Sequence, residues 1–137
     1  MLTRPFPHTL LALILVIAVV NAFAQYHYWY WTMRWFDMPM HFLGGMWLAG
    51  VAIWWRFFYG KFPDTKIELH NFLAWGVGYA FLVGFAWEAY EAVIALSTKG
   101  YMNAMSDTLS DLGFDILGGL VVVALVWLRI KNNNLKI

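Results

Sequence analysis

The chain has 137 residues and a formal net charge of +1; 62% of its residues are hydrophobic, 20% aromatic and only 12% charged. A soluble domain carries roughly 25% charged residues, so water is the wrong solvent for most of this chain, and its few, scattered basic residues give no footing for a nucleic-acid partner. It contains no cysteine, which removes disulfides, thiolate metal sites and thiol nucleophiles and leaves any metal chemistry to His, Asp and Glu.

A hydrocarbon core about 30 Å thick requires about 20 apolar residues in a helix, and four stretches qualify in chain order. The first, about residues 9–28, has an uncharged heart from Leu10 to Ala24, followed by Tyr26, Tyr28, Trp29, Tyr30 and Trp31 where an interfacial aromatic belt belongs. A competing reading takes Arg4, the run Leu10 to Val20 and the small-residue pattern Ala22-Phe23-Ala24 as a cleavable secretory signal. The second stretch, about 38–58, closes on Trp54, Trp55, Phe57, Phe58 and Tyr59; the third covers about 71–96 and the fourth about 108–130. The connections Gly60-Lys61-Phe62-Pro63-Asp64 and Thr98-Lys99-Gly100 carry helix breakers. The expectation is an all-α fold, one integral membrane domain over residues 1–137, built as a four-helix polytopic transmembrane bundle. If the helices alternate, Arg4, Arg56, Lys61, Lys66, Arg129, Lys131 and Lys136 fall on one side and only Arg34 and Lys99 on the other. The positive-inside rule then sets both termini in the cytoplasm, in a plasma (inner) membrane.

The acids divide the opposite way. Asp64 and Glu68 lie in the cytoplasmic loop, whereas Asp37, Glu88, Glu91, Asp107, Asp111 and Asp115 map to the outward half, on three different helices. Asp37 and His41 are four apart, Glu88 and Glu91 three apart, and Asp107, Asp111 and Asp115 recur every fourth residue, so each set shares one helix face. At 1.5 Å per residue Asp115 lies about 12 Å along its helix from Asp107, a depth Glu88 also reaches. Ionised carboxylates inside a bilayer are costly unless they face the bundle interior and find partners. Either several are protonated, because repulsion and desolvation raise a carboxyl pKa, or a bound cation neutralises them. Glu88, Asp111, Asp115, Asp37, His41 and Glu91 are the candidate ligands, and a set rich in carboxylates with one imidazole suits Mg²⁺, Mn²⁺, Ca²⁺ or Zn²⁺, the abundance of oxygen favouring the harder ions. Asp37, His41 and Glu88 are the candidate acid/base groups.

Asp37-x-x-x-His41-x-x-Gly44-Gly45 and Asp111-x-x-x-Asp115-x-x-Gly118-Gly119 share one spacing on helices that run in the same direction. That is the pattern of two parallel-related helical hairpins, with glycine pairs one turn below the polar residues to let helices approach closely. Plainer roles stand beside these. Asp37, before Pro39, could cap the second helix; Ser106, Asp107 and Thr108 could cap the fourth, with Thr108-x-x-Asp111 as a capping box; Glu91 could be solvated; and His41 alone could be a satisfied interior histidine. His8, His27 and His70 fall near interfaces and are assigned no role.

Three motifs together resemble the VanZ-like superfamily of small bacterial membrane proteins, and within it the DUF2238 (YjdF-like) group. They are Phe36-Asp37-x-x-x-His41-Phe42-x-Gly44-Gly45, Trp87-Glu88-x-x-Glu91, and Asp107-x-x-x-Asp111-x-x-x-Asp115-x-x-x-Gly119. Members of that group are usually longer. The superfamily's named member is associated with glycopeptide resistance, so the resemblance implies a cell-envelope setting and a polar site facing outward; it implies no particular reaction.

The expected function is a divalent-cation site acting on an envelope lipid or precursor, with membrane lipids and a lipid-like substrate as partners; whether it is an enzyme is left open. The alternative is a proton or cation transport component, for which a homo-oligomer could supply the missing half-path, or a structural membrane subunit.

Overall fold

The computed structural model describes residues 6–59, 66–98 and 105–132. Among these there is no strand, and helices account for nearly every residue. Arg4, Lys61, Asp64, Lys99 and Lys136, with the two loop breakers around them, lie outside the described residues.

Helix α1, His8–Tyr26, starts after Pro7, whose ring presets the backbone at a helix entry. Leu11, Leu15, Val19 and Phe23 recur every fourth residue and are all exposed, and Ala24 is its only buried residue. Such a face is the wrong way out for water and suits lipid. Past His27, Tyr28 adopts φ 59°, the left-handed conformation that turns the chain, and the short α2, Trp29–Thr32, follows. Tyr30 reaches back, its hydroxyl donating to Asn21 Oδ1 at 2.8 Å.

Helix α3, Asp37–Ile53, runs without a break into a π-helical turn, Trp54–Phe58. Phe36 is the residue before the first turn, and no side chain caps it; Asp37 is therefore inside the first turn, where its charge suits the helix dipole, rather than the cap. Pro39 falls early enough that its missing N–H leaves no gap in the helix. A second π turn, Leu73–Val77, joins α4, Leu69–Phe72, to α5, Gly78–Thr98. The last helix, α6, Met105–Asn132, spans 28 residues, with Asp107 in its first turn and Arg129 and Lys131 in its last, both favourable to its dipole.

Three helical segments, His8–Tyr26, Leu69–Ser97 and Met105–Asn132, are long and apolar enough to cross a membrane. Little of any of them is buried inside the protein, so their apolar surface has to be met by lipid.

The most extensive packing is between α3 and α6, which run parallel. Side chains are excluded where they cross: a Cβ on Gly45 would strike the Asp115 backbone, and one on Gly118 would strike the Phe42 carbonyl and the Met46 amide. Helix α5 and the π turn before it run antiparallel across this pair, with Gly84 of α5 against the Asp115 carboxylate near one end and Gly76 of the π turn against Val123 and Ile53 toward the other. At that second end Ile53, Phe72 and Val123 form the apolar core, and Phe57 stacks on Phe72 with ring centroids 4.2 Å apart. Among the described residues, helix α1 packs chiefly on α3 and α2. Leu10 fills the notch at Gly50, and the Trp47 indole donates to the Leu10 carbonyl at 3.0 Å.

The two glycine pairs are not equivalent. Gly45 and Gly118 are at the backbone crossing and a Cβ on Gly119 would sit tightly, 3.3 Å from the Val77 backbone, but one on Gly44 would meet nothing within 4 Å. The matching spacings therefore describe one asymmetric crossing of two parallel helices.

Candidate functional site

The crossing of α3, α5 and α6 brings their polar residues to one level at the end of the bundle opposite the Phe72 core. The i, i+4 spacing puts Asp37 and His41 on the inner face of α3, and the same spacing does so for Asp111 and Asp115 on α6. Glu88 comes from α5. His41 is at the centre: its Nδ1 lies 3.2 Å from Asp115 Oδ2, and its Nε2 lies 3.8 Å from both Asp37 Oδ1 and Glu88 Oε1. Asp37, His41 and Asp111 each offer a ligand atom, all within 4.8 Å of one another.

Burial grades across the group. Asp111 is 1% exposed, Asp115 3% and Glu88 7%, whereas the Asp37 side chain retains 34% and marks the open side. Both oxygens of Asp111 and Oε1 of Glu88 are buried without a hydrogen-bond partner among the described residues. Among the described residues, Asp37, Glu88 and Asp115 pair with His41 and none of them with Lys or Arg. One imidazole cannot neutralise four carboxylates, and a buried charge without compensation is very costly. The site demands extra protons or an added cation.

Two other acids flank the group. Glu91, half-buried, accepts a hydrogen bond from the Trp87 indole at 2.9 Å. Asp107 is exposed on the first turn of α6. His8, His27 and His70 lie away from the cluster; His70 pairs with Glu68 at 3.3 Å on the exposed surface.

Two contributors escape a reading by residue chemistry alone. Gly84 lies against Asp115 Oδ2, where any side chain would displace the carboxylate; its one signal in the sequence is its position four residues before Glu88, on the same face. Tyr30, read from sequence as belt, stands near the mouth. Burial, then the nearby Asp37 and Glu91 carboxylates, push its phenol up to about 12, so it stays a neutral donor.

Fold and site together define an all-helical membrane protein with a buried acid and histidine cluster at one end of its bundle. A family model described as a predicted membrane protein, DUF2238, matches residues 2–132, and the chain belongs to that family. No curated protein and no solved structure matches the chain.

Proposed function

We propose that this protein is a four-span inner-membrane protein whose cluster holds a divalent cation on the extracytoplasmic side and acts there on an envelope lipid or lipid-linked precursor. The observation that carries the reading is Asp111: a carboxylate 1% exposed, with neither oxygen partnered among the described residues, and with a ligand atom within 4.8 Å of those of Asp37 and His41. A cation would satisfy those oxygens and at the same time balance the carboxylates around them. The inner ligands are then Asp37, His41 and Asp111, with Glu88 beside Nε2 as a further ligand or the base that takes a proton from water. Bound there, such an ion would polarise a phosphate or ester oxygen. Asp115 supports His41, and Glu91 belongs to the rim.

The sidedness rests on charge. The described basic residues Arg56, Lys66, Arg129 and Lys131 all belong to the end of the bundle away from the cluster, and Arg34 to the cluster's end, the distribution expected for a cytoplasmic Phe72 end and an outward site. The resemblance to the VanZ-like superfamily fits the same envelope setting. A transport role is less well supported, because below the cluster the interior is closed by Ile53, Phe72, Phe57 and Val123, which offer no polar groups to carry an ion onward.

Elemental analysis of the detergent-purified protein beside an Asp111→Asn variant tests the reading. Stoichiometric metal in the parent and its loss in the variant are expected, and would justify screening phospholipids and polyprenyl phosphates for turnover. No metal in either would make protonated carboxyls the resting state and sink the proposal.

A further inference from the structure

Within that cation-site reading, on which this inference rests, the ring of His41 has two unlike sides. Nδ1 faces one carboxylate, Asp115 Oδ2, at 3.2 Å, with both side chains almost wholly buried. That carboxylate has little freedom: Gly84 of α5 abuts Oδ2, and Gly45 of α3 abuts the Asp115 main chain. Nε2 instead faces the open side of the cluster, 3.8 Å from both Asp37 and Glu88. The unpartnered, 1% exposed Asp111 shows that the cluster is built around something beyond its own hydrogen bonds.

An ionised carboxylate can only accept, so in the neutral ring a hydrogen bond to Asp115 puts the proton on Nδ1 and leaves the lone pair on Nε2. We propose that Asp115 is a positioning residue rather than an ion ligand: it orients His41 so that Nε2 coordinates the cation together with Asp37 and Asp111. A carboxylate behind a ligating imidazole fixes its tautomer and raises its basicity, and one nitrogen among the oxygens shifts preference toward zinc or manganese and away from magnesium and calcium. Asp37, whose side chain is one-third exposed, is the ligand beside which a lipid headgroup oxygen would enter.

The test uses full-length protein labelled with ¹⁵N-histidine and loaded with ¹¹³Cd²⁺, the His41 signals being assigned by their loss in His41→Gln. The expected spectrum shows cadmium coupled to Nε2 and a protonated Nδ1. Asp115→Asn should keep one bound ion but weaken it by about 10- to 100-fold, the usual cost of losing such a support, whereas Asp111→Asn should lose it. Excess magnesium or calcium should leave the cadmium in place. Coupling to Nδ1, an Asp115→Asn variant that binds as tightly as the parent, or displacement by magnesium would overturn the inference while leaving a cation site standing. Failure of the parent to bind cadmium, zinc or manganese would remove the cation reading itself and this inference with it.

Discussion

Asp111 illustrates what a single side chain contributes here and what it costs. A buried polar group left without a partner is destabilising by about 1–3 kcal/mol, and both of its carboxylate oxygens are in that state. Asp111→Leu, which removes both oxygens at similar size, is therefore expected to raise the thermal stability of the chelator-treated protein while abolishing ion binding; an equal loss of both would show that the residue is structural. Tyr30 gives the pH prediction. Its phenol is held above its ordinary value of 10, so the folded state keeps a proton that the unfolded state releases first. That contribution to stability is fully present below pH 10 and is lost as the pH rises toward about 12. Ultraviolet titration should find one tyrosine ionising late, and Tyr30→Phe should remove that step. The candidate acids were legible in the sequence because an acid in an apolar span is conspicuous. The role of Gly84 was not, since a glycine shows its purpose only against the neighbour it admits.

Among the elements, the α3 and α6 crossing carries the arrangement, and its glycines are testable one by one. Gly118→Ala pushes a methyl into the Phe42 carbonyl and Met46 amide; such overpacking typically costs about 1–3 kcal/mol. Gly44→Ala meets nothing within 4 Å and should be neutral or stabilising by up to about 1 kcal/mol, through helix propensity. Thermal unfolding in detergent separates the two, and equal effects would mean that the crossing is elsewhere. Spacing alone could not make this distinction: Gly44-Gly45 and Gly118-Gly119 read as equivalent pairs, whereas close approach selects Gly45 and Gly118. Nor did the aromatic sequences Trp54–Phe58 and Leu73–Val77 announce their π turns. Hydropathy reads the length of a span, not the widening of one of its turns.

For the whole molecule, the absence of native cysteine makes single introduced cysteines clean reporters of topology. Thr3→Cys and Asn134→Cys should react with an impermeant maleimide only after the membrane is opened, and Ser106→Cys should react in intact cells. Reaction of Thr3→Cys from outside would reverse the proposed orientation; termini on opposite sides would rule out four spans. The sequence by itself determined that this is a helical membrane protein and which residues are out of place in lipid, because hydropathy and the 3.6-residue period are local properties. Only the tertiary structure decided that His41 stands between Asp115 on one side and Asp37 and Glu88 on the other, and that both Asp111 oxygens are buried without a hydrogen-bond partner among the described residues. Those facts depend on the relative rotation and crossing of three helices, which is set by contacts between residues as far apart as Gly45 and Asp115 and leaves no periodic trace in the chain.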